Sequence, residues 1–183
     1  MSEEPEAKKM KTTGWEDHTM NISEAVMKAD EGSFLTSLST SSVETLQGIG
    51  PKSDAVLEAL NVNTVEHLAT YKYFLISRAI VALAETETEG GRPAGSTMNI
   101  DKAVDKEFES KSLKEIAEAP TSALQGLSEK ARTLFEELHV KTIKDLANFK
   151  YCRIAEAIVQ AAKFEETKTE AERKAEKLAK QLE

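Results

Sequence analysis

A chain of 183 residues suffices for one domain or two small ones, and its composition is 40% apolar, 31% charged and 5% aromatic. Few Gly and Pro residues beside many Ala, Leu, Glu and Lys residues predict an all-α protein. The formal net charge of −8 argues against a nucleic-acid binder with a broadly basic surface and leaves room only for a local basic patch.

The single cysteine and the N-terminal residues bear on the cellular setting. Because Cys152 has no second cysteine to pair with, the chain fits an intracellular, reducing compartment. Residues 1–18 are polar, carry charges of both signs and predict a disordered tail without a secretory signal. Within this tail, Lys8-Lys9-Met10-Lys11 indicates a weak nuclear-import signal or a solvated basic patch. The longest apolar run, 73–84, is too short to span a bilayer, so we expect no membrane association.

Two long stretches of the chain resemble each other without a gap. Of the 66 positions from Thr19 to Ala84, 26 hold the same residue at an offset of 78 residues. We interpret this match as an internal duplication of a helical unit of roughly 65–78 residues, with a first repeat at 19–84 and a second at 98–162. Each unit is large enough for a small helical subdomain, and two of them would form a body with a pseudo-twofold axis.

The first half of each repeat predicts two helices. Asn21 suits the N-cap of an amphipathic helix, and Asn99 has the same place in the second repeat. A short helix is predicted next at 33–38, and its counterpart in the second repeat begins with a capping box at Ser112.

The second half of each repeat is built around a turn. In the first repeat, a short helix at 42–47 is predicted to end at this turn, and Pro51 suits the first position of the helix that follows. Thr64 is predicted to cap another short helix, and the apolar run at 73–84 is predicted to form the last one.

Two segments lie outside the repeats. Residues 85–97 are rich in Gly and Pro and predict a linker. Residues 163–183 predict a charged helix, with the pairs Glu170–Lys174 and Glu176–Lys180 at the i,i+4 spacing. This C-terminal helix suits a solvated extension, or a coiled-coil contact with another chain through its thin apolar stripe.

The turn carries the clearest motif of the chain. It reads Leu46-Gln47-Gly48-Ile49-Gly50-Pro51-Lys52 in the first repeat and Leu124-Gln125-Gly126-Leu127-Ser128-Glu129-Lys130 in the second. Two glycines favour positive φ angles, Ile49 can fill the gap between the flanking helices, and the N–H groups at the start of the next helix can bind a phosphate.

In these residues the turn resembles the helix-hairpin-helix motif, so each repeat is expected to have a helix-hairpin-helix-like core. The resemblance implies contact with a nucleic-acid backbone without base readout. The candidate contact residues are Gly48, Ile49, Gly50, Lys52, Gly126, Lys130 and Arg132. The second turn is degenerate, because Ser128 replaces a glycine and the carboxylate of Glu129 would repel a phosphate.

Two functional hypotheses remain. The first is a non-catalytic binding module that serves as a protein-interaction adaptor or scaffold. The alternative is a nucleic-acid-binding protein that contacts the backbone through the Gly48–Lys52 turn. The three histidines do not align between the repeats, and no motif for a metal, a cofactor or a small-molecule substrate is present. We therefore expect no cofactor and no enzymatic activity.

Overall fold

The computed structural model describes residues 14–181, which contain helices and turns but no β-strand. The predicted all-α fold is thus confirmed. The predicted basic segment Lys8-Lys9-Met10-Lys11 lies outside the described residues. The α-helices are α1 (Leu35–Thr40), α2 (Pro51–Ala59), α3 (Val65–Ala69), α4 (Lys72–Ala84), α5 (Leu113–Glu118), α6 (Glu129–Glu137), α7 (Ile143–Ala147), α8 (Lys150–Ala162) and α9 (Glu170–Gln181). None of these helices is long and apolar enough to cross a lipid bilayer.

The order of elements recurs at the offset seen in the sequence. Each helix from α1 to α4 has a counterpart of equal length 78 residues later, from α5 to α8. The 3-10 turns follow the same offset and lie at Lys28–Asp30, Val43–Thr45, Lys106–Phe108 and Thr121–Ala123. The origin of the two halves by duplication stays a prediction from the sequence.

The helix predicted behind Asn21 is wrong. Residues 21–27 form turns and an antiparallel bridge between Val26 and Leu46. The N–H of Met27 donates to the carbonyl of Thr45 at 2.8 Å, which ties this backbone to the hairpin region instead of to a helical ladder. The Asn21 amide donates to the carbonyl of Thr19, so it does not act as a cap.

The last long helix of each repeat, α4 or α8, packs against the other repeat, an arrangement called here the exchange of α4 and α8. Helix α8 of the second repeat packs against α1 and α3 of the first, and α4 of the first packs against α5 and α7 of the second. The buried apolar side chains of both repeats belong to one continuous core. Neither repeat therefore closes its own core, because each needs the last helix of the other.

Two glutamates reinforce this exchange with equivalent hydrogen bonds. After α8, the Glu165 carboxylate accepts from the N–H groups of Leu35 and Thr36 at 2.7 and 2.8 Å, at the start of α1. After α4, the Glu87 carboxylate accepts from the N–H of Leu113 at 2.7 Å, at the start of α5. A carboxylate satisfies free N–H groups and favours the positive end of a helix, so the segment that follows each repeat caps a helix of the other repeat.

The two long helices also meet through a pair of equivalent residues. The guanidinium of Arg78 in α4 donates to the carboxylate of Glu156 in α8, and these residues are 78 positions apart. A contact between equivalent positions lies on the pseudo-twofold axis that relates the repeats. This ion pair therefore lies between the two long helices at the protein surface, where about half of the Arg78 side chain is exposed.

Helix α9 lies apart from the core, and all of its described side chains are exposed. The predicted ion pair between Lys174 and Glu170 is present at 2.7 Å. Glu176 binds Lys168, which precedes the helix.

Two hydroxyl groups are buried without a hydrogen-bond partner among the described residues, those of Ser77 and Thr121. The equivalent positions hold the apolar residues Ala155 and Val43, and all four residues have no exposed surface. A buried hydroxyl without a partner costs about 1–3 kcal/mol relative to water. Each unpaired hydroxyl therefore lowers the stability of the protein, and the apolar residue at the equivalent position of the other repeat does not.

We expect Thr121→Val to raise the free energy of unfolding by about 1–2 kcal/mol, because it replaces the buried hydroxyl with a methyl group of similar size. Val43→Thr, the reciprocal change, is expected to lower it by a similar amount. Urea denaturation followed by circular dichroism measures both. Equal denaturation midpoints for Thr121→Val and the wild type would contradict a destabilising effect of the buried Thr121 hydroxyl.

Candidate functional site

The first hairpin turn joins a 3-10 turn at Val43–Thr45 to α2 and not two α-helices. The predicted helix at 42–47 is shortened because Leu46 takes an extended conformation in its bridge with Val26. The N–H of Ile49 donates to the carbonyl of Leu46 at 3.2 Å, and the Ile49 side chain is buried. Ile49 is thus buried as expected, but its role as a filler between two flanking helices stays a prediction.

The two glycines of this turn have different roles. Gly48 has a φ of +102°, and Gly126 in the second turn has +85°, so both lie where side chains other than glycine are disfavoured. Gly50 has a φ of −91° in an extended conformation, with open space where a side chain would lie, so the expectation of a positive φ there is wrong. Ser128 occupies the equivalent position and caps α6, since its hydroxyl accepts from the N–H of Ala131 at 3.1 Å.

Each turn is covered by a tyrosine from the other repeat. A Cβ added at Gly48 would lie 2.6 Å from the hydroxyl oxygen of Tyr151, at the start of α8. A Cβ added at Gly126 would lie 3.2 Å from the hydroxyl oxygen of Tyr73, at the start of α4. The close approach of the tyrosines is therefore a second reason for glycine at both turns.

A lysine accompanies each tyrosine. The Nζ of Lys150 lies 5.3 Å from the centre of the Tyr151 ring, and that of Lys72 lies 5.3 Å from the centre of the Tyr73 ring. These distances are within reach of a cation–π interaction. These residues lie outside the hairpin motif, and the identical Lys-Tyr pairs at the offset of the repeat are the sequence signal for them.

The candidate cations of the turns are not equivalent. The side chains of Lys52 and Lys130 are exposed near the starts of α2 and α6. The guanidinium of Arg132 donates to Glu129 at 2.7 Å and to Glu136 at 2.5 Å. The hydrogen bond to Glu129 is the main cause of a raised pKa for Arg132, and both carboxylates offset its charge. Arg132 is thus occupied within its own helix, whereas both lysines present their charge to solvent.

The two turns and the starts of the two long helices thus form two composite sites. The first hairpin site comprises Gly48, Ile49, Gly50, Lys52, Lys150 and Tyr151. The second hairpin site comprises Gly126, Leu127, Ser128, Lys130, Lys72 and Tyr73. Each site draws residues from both repeats and carries two lysines and one tyrosine.

Other groups with chemical potential lie in the core. Cys152 is 2% exposed, and burial raises the pKa of its thiol and so disfavours the reactive thiolate. Burial also raises the pKa of the Tyr71 hydroxyl, with a smaller contribution from Tyr73. Among residues 14–181, no cluster of three or more His, Cys, Asp or Glu side chains could hold a metal ion.

No protein-family model, no curated protein and no solved structure matches this chain.

The two glycines of the first turn predict opposite mutational effects. Gly48→Ala is expected to lower the free energy of unfolding by about 1–2 kcal/mol, because alanine disfavours the left-handed backbone at this position. The total loss is expected to exceed this amount, because the added methyl group would also displace the Tyr151 hydroxyl. Gly50→Ser is expected to stabilise it by about 0.5–1 kcal/mol, because serine can cap α2 as Ser128 caps α6. Thermal or urea unfolding measures both variants. Equal losses at the two positions would contradict this distinction.

Proposed function

We propose that this chain is a non-catalytic binding module that acts as a protein-interaction adaptor. The observation that carries the proposal is a group of three aromatic residues near the start of α1, called the aromatic patch, which comprises the half-buried Trp15 and the exposed Phe34 and Phe164. The Phe34 side chain is 39% exposed and the Phe164 side chain is 88% exposed. The ring centres of Trp15 and Phe34 lie 6.1 Å apart in an edge-to-face arrangement. Exposed aromatic residues are enriched among the residues that dominate the binding energy of protein interfaces.

The Glu165 cap brings this aromatic patch together. Phe164 precedes Glu165, and Phe34 precedes Leu35, whose N–H donates to the Glu165 carboxylate. The N-terminal segment joins the same corner, because a Cβ added at Gly14 would lie 3.4 Å from the Thr169 side chain. The Glu165 cap therefore holds the backbone next to Phe34 and Phe164, and Trp15 reaches the same corner through its ring contact with Phe34.

The second repeat indicates that the aromatic side chains are not required by the fold. Its equivalent corner has the same glutamate cap, but Ser112 stands in place of Phe34 and Thr86 in place of Phe164. Ser112 caps its own helix through a capping box with Glu115. Since the same backbone forms without aromatic residues, the phenylalanines of the first repeat suit contact with another protein.

The adaptor proposal predicts that the double variant Phe34→Ser, Phe164→Thr folds normally and loses its protein partner. Removal of hot-spot aromatics typically costs at least about 2 kcal/mol, or a roughly 30-fold loss of affinity. Affinity capture from the source cells, followed by quantitative mass spectrometry and a binding titration with the captured protein, measures the loss. The matched control is Leu83→Ala with Met98→Ala, which removes exposed apolar side chains elsewhere. If the double variant and the control retain the same proteins, the aromatic patch is not the interface.

A second candidate function is contact with a nucleic-acid backbone at the two hairpin sites. The supporting observation is that Gly48, Lys52, Lys72 and Tyr73 recur identically at the offset of the repeat. The hydroxyl of each tyrosine lies over a turn, and a lysine lies near each tyrosine ring. Lysines bind phosphates, and tyrosine rings stack on unpaired bases. The net charge of −8 and the ion-paired state of Arg132 weigh against strong binding, so this function ranks second.

For the nucleic-acid candidate, Lys150→Gln should weaken binding to a short duplex and reduce its salt dependence. Loss of one phosphate contact lowers the slope of log affinity against log salt by about 0.9. The control is Lys163→Gln at the opposite end of α8, about 20 Å away along the helix. Fluorescence anisotropy at several salt concentrations measures the slopes. No binding by the wild type at low salt would end this candidate.

A further inference from the structure

The exchange of α4 and α8 has a consequence for two copies of the chain. The contacts that close the molecule each join the first repeat, or Glu87 just after it, to the second repeat, or Glu165 just after it, and they include the Arg78–Glu156 pair and both glutamate caps. The same contacts can form when the two repeats belong to different chains. Only the path of the linker then differs between the two forms.

The linker is folded back on itself in this structure. The Arg92 guanidinium donates to the carbonyls of Ser96 at 2.8 Å and Met98 at 2.6 Å. Gly90, Gly91 and Gly95 have φ angles of +103°, +80° and +78°. Three left-handed glycines and the hydrogen bonds of Arg92 together stabilise a reversal of the chain direction within the linker. When extended, the ten residues from 88 to 97 would span about 33 Å, enough to reach a second body.

We propose that a second copy of this chain can replace either repeat, giving a reciprocal dimer in which the first repeat of each chain closes on the second repeat of the other. The folded linker favours closure within one chain, because it holds the two repeats at a high effective concentration. Any change that disfavours the reversal shifts the balance toward the dimer. Exchange of identical elements through a hinge is a low-cost route to dimers because it reuses existing contacts.

The hinge variant tests this proposal. It combines Gly90→Ala, Gly91→Ala, Gly95→Ala and Arg92→Ala, and it leaves every contact between the repeats intact. After unfolding and refolding at increasing protein concentration, we expect native helix content and a molar mass of twice 20.1 kDa by light scattering. The control carries Gly32→Ala and Gly50→Ala, at glycines without positive φ and with open space around them, and should stay a monomer. A hinge variant that refolds to a native monomer at the highest concentration overturns the proposal.

A second experiment keeps the natural linker and does not depend on the hinge variant. The chain with Arg78→Glu places two glutamates at the axis, and the chain with Glu156→Arg places two arginines there. In a reciprocal dimer of one chain of each kind, both bodies regain an arginine–glutamate pair. Refolding the differently tagged chains together should give a heterodimer in several-fold excess over either homodimer. A mixture that yields no more heterodimer than two wild-type chains with the same tags overturns the proposal, whatever the behaviour of the hinge variant.

Discussion

The constraint on which this structure depends is that neither repeat can close its own core. The last long helix of each repeat, α4 or α8, leaves its own unit and packs against the first and third α-helices of the other. Because α4 and α8 carry buried residues such as Phe74 and Ile158, each repeat can bury its apolar surface only when the last helix of the other repeat is folded against it. The glutamate caps, the tyrosines over the turns and the ion pair at the axis all follow from this single exchange.

The exchange also gives the glycines of the hairpin turns a structural role. In a free hairpin, the glycines would leave the backbone open to a ligand. Here Gly48 and Gly126 accommodate tyrosine hydroxyls from the other repeat, so these glycines have a structural reason to be present. Gly50 has no such reason, which explains why a serine can replace it in the second repeat without changing the turn. What remains for a ligand at each hairpin site is a pair of exposed lysines, and one lysine of each pair comes from the opposite repeat.

Sequence reasoning predicts the all-α fold, the helix that starts at Pro51 and the helix over the apolar run 73–84, because each rests on local periodicity or a local cap. It fails at Asn21, where long-range backbone bonds to residues 45–47 replace a helix that local pattern favours. It also misses the exchange of α4 and α8, because periodicity identifies the apolar face of a helix but not the element that covers it. The aromatic patch escapes prediction for the same reason, since Trp15, Phe34 and Phe164 lie far apart in the sequence.

The comparison of the two repeats separates what the fold needs from what it leaves free. Features shared by both, such as the turn glycines, the covering tyrosines and the glutamate caps, all contribute to the exchange and so have a structural role. Features found in one repeat alone cannot be required by the common backbone, and Phe34 and Phe164 are of this kind. Large exposed aromatic side chains cost solubility when they have no partner. Their presence at one corner of the molecule, where the second repeat has Ser112 and Thr86 instead, is the basis of the proposed adaptor role.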